Sequence, residues 1–172
     1  MHFEKLVTIY EELENTASGN KMREILSEFF KEVPSENLKI ITYLTLGQIS
    51  SDYESVVLGI AEKTILKSIS LAGGVDSSKV RQILKETGDA GLTAEKIMKN
   101  KPMTLVPLGK LTIDEFFHGL HKVAEAEGNK SIDVKVNLIA RLLQKTSPKG
   151  AKYLIRIALG TLRMGVGEMT VL

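Results

Sequence analysis

Apolar residues recur at three- and four-residue spacing through most of the chain, and no long stretch alternates with period two. Phe3, Leu6, Val7, Tyr10 and Leu13 predict a core-facing helix, and Met22, Ile25, Leu26, Phe29 and Phe30 predict a second. Pro34 fits the first position of a third helix carrying Leu38, Ile41 and Leu44. Gly47 stands where a left-handed cap is wanted. Residues 60–72 form the next helix, ending at Gly73 and Gly74, and Asp76 or Ser77 caps another that runs to about Glu86. Thr87 to Gly91 read as a glycine-rich break before a short helix from about Leu92 to Lys99. Residues 100–111, with Pro102, Pro107 and Gly109, read as a loop. Thr112 and Glu115 make a capping box that opens a helix with Phe116, Leu120 and Val123, ending near Gly128. Two more helices follow, from about Asp133 to Lys145 and from Pro148 to Leu159. The expectation is an all-α domain of about ten to twelve helices with few or no strands.

The pattern repeats once. Shifted by 113, residues 24–49 lie over 137–162 without a gap, with apolar matches at Ile25/Leu138, Phe29/Leu142, Ile41/Leu154 and Ile49/Leu162, and with Gly47 on Gly160. The same shift puts Phe3 on Phe116 and Ser18 on Ser131. A shift of 106 puts LGIAEKTIL (58–66) on MGVGEMTVL (164–172), both G-x-x-E-x-T-x-L. Amphipathic helices always align to some degree, so the matched glycine turns carry the weight. They predict two pseudo-two-fold halves, about 3–72 and 112–172, joined by a segment at about 73–111. Two repeats are too few for a solenoid.

Composition narrows the function classes. With 172 residues, 43% apolar and 26% charged, the chain has the make-up of one folded soluble domain. It contains no Cys, which excludes disulfides and thiolate metal sites and fits a reducing cytoplasm. No apolar run approaches a membrane span, and no secretory leader opens the chain. Charge is uneven. Residues 1–96 carry 11 basic and 15 acidic side chains, whereas 97–172 carry 12 basic and 6 acidic. Within 128–172 stand Lys130, Lys135, Arg141, Lys145, Lys149, Lys152, Arg156 and Arg163 against only Asp133 and Glu168. Such a segment is either a footprint for a polyanion or a solvated basic face balancing an acidic front half.

The glycine turns offer the chemistry. Gly160-Thr161-Leu162-Arg163-Met164-Gly165 combines backbone freedom, a hydroxyl and an arginine, a set suited to a phosphate backbone. The spacing equally fits a C-cap at Gly160 and a helix-packing glycine at Gly165. The first-half counterpart, Gly47 to Gly59, lacks the arginine and contains Asp52 and Glu54. Ser18, Asn20 and Lys21 begin one helix, and Lys130, Ser131 and Lys135 surround the start of its counterpart. These are ordinary caps, and also the way a helix start meets a phosphate. No GxSxG, Walker or H-E-x-x-H motif is present. His118 and His121 lack ligand partners and read as surface or half-buried residues, and Glu11, Glu12 and Glu14 as a solvated helix face.

Four stretches together resemble a known family: LGIAEKTILKSIS (58–70), TGDAGLTAE (87–95), LTIDEFFHGLHKVAEAEGNKS (111–131) and YLIRIALGTLRMGVGEMTVL (153–172). They are similar to the N-terminal DNA-binding domain of ATP-dependent DNA ligases of the archaeal and eukaryotic replicative kind, over essentially the whole chain. The resemblance implies a domain that grips the minor groove and phosphate backbone of nicked duplex DNA during replication, repair and recombination. It implies that Gly160, Thr161, Arg163 and Gly165 lie on the backbone, with Ser18–Lys21 and Lys130–Lys135 as secondary contacts. The family's nucleotide-accepting lysine sits in a K-x-D-G motif that follows this domain and is absent here. The expectation is therefore a non-catalytic piece of a longer ligase, whose ATP, Mg2+, adenylation domain and OB-fold domain lie elsewhere. Some archaeal relatives bind a sliding clamp through paired aromatics in the loop before LT. Here that loop reads KNKPMTLVPLGK, with Leu105 and Val106 in their place, so a clamp is the weakest of the expected partners. A helical protein-interaction scaffold without DNA binding is the alternative.

Overall fold

The structure is a computed structural model that describes residues 1–49, 58, 60–101, 109–128 and 130–166. Nine helices occupy the described residues: α1 (Phe3–Glu14), α2 (Gly19–Glu32), α3 (Ser35–Thr45), α4 (Glu62–Gly73), α5 (Ser77–Thr87), α6 (Ala90–Lys99), α7 (Ile113–Glu125), α8 (Ser131–Leu143) and α9 (Pro148–Ala158). The fold is all-α. The one β-type pairing among these residues is an antiparallel bridge between His2 and Thr112.

Local chemistry sets most boundaries. The hydroxyls of Ser18, Thr112 and Ser147 accept from the third amide onward, at Lys21, Glu115 and Gly150, and so start α2, α7 and α9. Pro148 fills the first position of α9. Pro34 stands one residue earlier than expected, at the N-cap of α3. Nor do Thr87 to Gly91 form a break throughout. Asp89 accepts from the Leu92 amide at 2.7 Å and carries α6 through Ala90 and Gly91. Gly91 is there for space: a Cβ on it would stand 2.7 Å from the Lys152 carbonyl oxygen, so α6 and α9 cross in close contact.

Packing is reciprocal between the front and back of the chain. α1 packs on α9 and α7 packs on α3, while α4 packs on α8 and α6 touches both α4 and α9. Phe3, Tyr10, Phe116 and Tyr153 are fully buried where these helices meet, with the Phe3 and Phe116 rings 4.5 Å apart. Two carboxylates reinforce the exchange. Glu4, in the first turn of α1, accepts from the Ser147 amide and from the Thr146 and Ser147 hydroxyls at the start of α9, each at 2.7 Å. Asp114, in the first turn of α7, accepts from the side-chain amide of buried Asn37 in α3.

The shift of 113 carries Ser35–Thr45 onto Pro148–Ala158 end to end. The opening helices follow a different offset. α1 and α7 start at Phe3 and Ile113, and the bridge joins His2 to Thr112, so the offset there is 110. Phe3 therefore corresponds to Ile113 rather than Phe116. An apolar stripe returns every three or four residues, so a pattern match slides by nearly one turn without penalty.

Candidate nucleic-acid interface

Two glycine bends terminate the paired helices α3 and α9 in the same way. After α9, the Gly160 amide donates to the Ile157 carbonyl at 3.0 Å and the Thr161 amide to the Arg156 carbonyl at 2.8 Å. After α3, the Gly47 amide donates to Leu44 at 3.0 Å and the Gln48 amide to Tyr43 at 2.8 Å. Both are Schellman closures, which require a left-handed residue one position past the cap. Gly160 and Gly47 supply it, with φ of 66° and 73°.

The second bend is built to stay open on one side. Gly160 has nothing within 4 Å of where a Cβ would be and is exposed. Met164 is buried and anchors the turn from beneath. Gly165, again left-handed at φ 66°, lies against Met22 of α2, whose Cε would be 3.2 Å from an added Cβ. A Cβ on Gly47 would meet Leu162 at 3.7 Å. Thus the two bends touch, and the start of α2, with Ser18, Asn20 and Lys21, belongs to the same neighbourhood through Met22. Sequence reasoning missed Met22 and Leu162 as the joining residues, because each reads as ordinary core.

The side chains on this surface divide by pairing. Arg163 is exposed and makes no ion pair among the described residues. The Thr161 hydroxyl reaches back to the Arg156 carbonyl at 3.4 Å. Lys21 pairs with Glu24 at 2.9 Å, which holds its ammonium above the ordinary lysine value. Asn20 accepts from Arg23. At the start of α8, Lys130 adopts φ 72° just before Ser131. Lys130 and Arg141 line one groove along α8 with Asp133, Val134, Asn137 and Leu138. Lys130, Lys135 and Arg141 form no ion pair among the described residues. Their helix packs mainly on α4 and α7.

Half of the late basic residues are occupied elsewhere. Lys145 pairs with Glu115, Lys149 with Glu11, Lys152 with Glu14, and Arg156 with both Glu14 and Asp89. The reading of Glu11 and Glu14 as a solvated face is thereby corrected: both meet cations of α9. Sequence signal for this existed, since Glu11 and Glu14 have the same three-residue spacing as Lys149 and Lys152. Partial burial raises the Glu14 carboxyl, but hydrogen bonds from Lys152 and Tyr153 and the charges of Lys152 and Arg156 outweigh this and hold it below the usual carboxylate value. Burial first, and then the bond to Glu14, pushes the Tyr153 phenol well above its usual value.

Residues 2–172 match the family model described as DNA ligase N terminus. The chain belongs to that DNA ligase family. It is 40% identical over its whole length to a probable DNA ligase of Dictyoglomus turgidum. It is 38% identical to DNA ligase 2 of Thermofilum pendens over 97% of the chain, and 35% identical over its whole length to a DNA ligase of Nitrosopumilus maritimus. These matches cover only 28%, 29% and 29% of the relatives, so the chain spans less than a third of their length.

Among the described residues no group of three or more His, Cys, Asp or Glu side chains is arranged to hold a metal. His118 Nδ1 is engaged with the Asp114 carbonyl at 2.7 Å. His121 Nε2 donates to the Ile49 carbonyl at 2.9 Å, with its ring 4.6 Å from that of Phe117. Asp52, Glu54, Gly59, Leu105, Val106 and Glu168 lie outside the described residues. So does most of the second G-x-x-E-x-T-x-L segment. No helix among the described residues is long and apolar enough to cross a membrane.

Proposed function

We propose that this chain is the DNA-gripping, non-catalytic domain of an ATP-dependent DNA ligase. The observation that carries the reading is the open Gly160–Gly165 bend, with Arg163 exposed and unpaired, set beside the Gly47 bend and the start of α2. Left-handed glycines let a polyanion approach the backbone, and an unpaired guanidinium supplies charge without first breaking a protein ion pair. In this reading Gly160, Thr161, Arg163 and Gly165 meet the phosphate backbone of nicked duplex DNA. Ser18, Asn20, Lys21, Lys130, Ser131 and Lys135 extend the contact. The domain holds the duplex, and the remainder of the longer protein, with its adenylation and OB-fold domains, ATP and Mg2+, seals the nick in replication, repair and recombination. The two halves at about 3–72 and 112–172 belong to the same proposal. Their similar helix lengths, twin Schellman closures and reciprocal carboxylate contacts support an ancestral duplication. A sliding clamp stays the weakest of the proposed partners, and a cytoplasmic setting is proposed with the rest.

Contacts to phosphates and a groove read without base-specific donors make affinity largely independent of sequence. If about four to six phosphates are neutralised, log K falls with log salt with a slope of roughly −4 to −5. The test is a titration of nicked duplex, followed by fluorescence anisotropy at several salt concentrations. Arg163→Ala is expected to weaken every duplex alike and to flatten the slope by about 0.9. Binding that is absent or insensitive to salt would favour the scaffold alternative. An unchanged slope in the variant would remove Arg163 from the interface.

A further inference from the structure

Arg156 occupies the crossing point of three helices and the root of the Gly160 bend at once. Its side chain leaves α9 and reaches Glu14 at the end of α1 and Asp89 Oδ1 at 3.3 Å, the residue that caps α6. Glu14 is held in place by Lys152 Nζ and the Tyr153 hydroxyl, each at 2.7 Å. The stem of Arg156 passes over Gly91, where a Cβ would stand 2.9 Å from its Cγ. Little of the cluster meets solvent: the side chains of Lys152, Arg156, Glu14 and Asp89 are 11%, 17%, 28% and 30% exposed. The backbone of the same residue closes the bend, because its carbonyl accepts from both the Thr161 amide and the Thr161 hydroxyl. A planar guanidinium can serve two carboxylates in fixed directions, which a lysine ammonium on a flexible stem does less well.

We propose that Arg156 is a positioning residue: by locking α9 to α1 and α6 it fixes the direction in which the Gly160–Gly165 bend presents Arg163. It is a basic residue of the late segment that acts without touching the polyanion. The backbone part of the inference stands on geometry alone, and its consequence for affinity rests on the duplex-binding reading above.

Two measurements on the full chain test it. In hydrogen exchange followed by NMR, Arg156→Lys and Glu14→Gln should each speed exchange of the Thr161 amide about tenfold more than they speed that of core amides in α4 and α7. Lys149→Ala, which removes the neighbouring pair with Glu11, should leave Thr161 unchanged. If Arg156→Lys fails to fold, Glu14→Gln carries this arm. An unchanged Thr161 amide, or acceleration spread evenly over the core, overturns the proposal. In duplex titrations, Arg156→Lys should weaken binding roughly three- to tenfold. Combined with Arg163→Ala, it should add less than about twofold to the loss from Arg163→Ala alone. Additive losses, with the salt slope flattened once more by Arg156→Lys, would make Arg156 an independent phosphate contact and overturn it. If the wild-type chain binds no duplex, the proposed function fails, and the exchange arm still decides the role of Arg156.

Discussion

The bends after α3 and α9 share a backbone and differ in what secures it. Each closes with the same pair of hydrogen bonds around a left-handed glycine. The residue whose carbonyl receives the outer bond is Tyr43 in the first bend and Arg156 in the second. Tyr43 has Lys39 over its ring at 5.8 Å, on a partly exposed surface. Arg156 is tied to two other helices through sheltered carboxylates. A helix cap is thus a local device that any sequence with a suitable glycine can make. Its orientation against the rest of the molecule is a separate property, supplied here in one copy by long-range charge pairing.

The largest effect that would break this comparison is removal of the anchor. Arg156→Ala leaves Glu14 and Asp89 partly buried without a shared cation. It should lower stability by about 2–3 kcal/mol in denaturant unfolding, because breaking a sheltered pair from one side exposes the desolvation cost of the other. Tyr43→Ala, at the matching site, should cost clearly less. Next come the glycines. Gly160→Ala and Gly47→Ala should each cost about 1–2 kcal/mol, since both force a side chain into the left-handed region. Similar values would show the closures to be equivalent, and a large gap would show that they are not.

Smaller and dependent on pH is Glu14→Gln, expected to cost about 1 kcal/mol at neutral pH. The Glu14 carboxyl titrates below its ordinary value in the folded state. Its contribution is therefore complete above the unfolded value of about 4.3 and is lost as the pH falls through the lower folded value. The difference in melting temperature between wild type and Glu14→Gln should shrink through that acid range. A gap that stays constant would mean that Glu14 acts by packing alone. The smallest expected effect on stability is that of Arg163→Ala, within about 0.5 kcal/mol, as for an exposed side chain with no partner. Its cost should show in duplex binding instead.

The elements were legible in the sequence because their signals are local. Ser18, Thr112 and Ser147 cap within three residues, glycines end α3 and α9, and apolar spacing marks the buried faces of α1 and α2. The Gly160–Gly165 bend was legible for the same reason, as a string of residues with its own backbone demands. Gly91 was misread because its role is to make room for Lys152 and Arg156, which lie about 60 positions away. The offset between α1 and α7 was misread because helical periodicity fixes a face but not a turn along it.

The sequence by itself determined an all-helical chain, the order of its helices and the rough bounds of most of them, and which family's motifs it carries. Only the tertiary structure decided which cations are free. Glu14 and Arg156 are 142 positions apart, and no local pattern states that they meet. Charge counted along a chain sums residues without regard to partners, whereas an interface feels only those whose partners the fold has not already supplied. By that measure Lys145, Lys149, Lys152 and Arg156 hold the domain together, and Lys130, Lys135, Arg141 and Arg163 are left outside the ion pairs of the described residues.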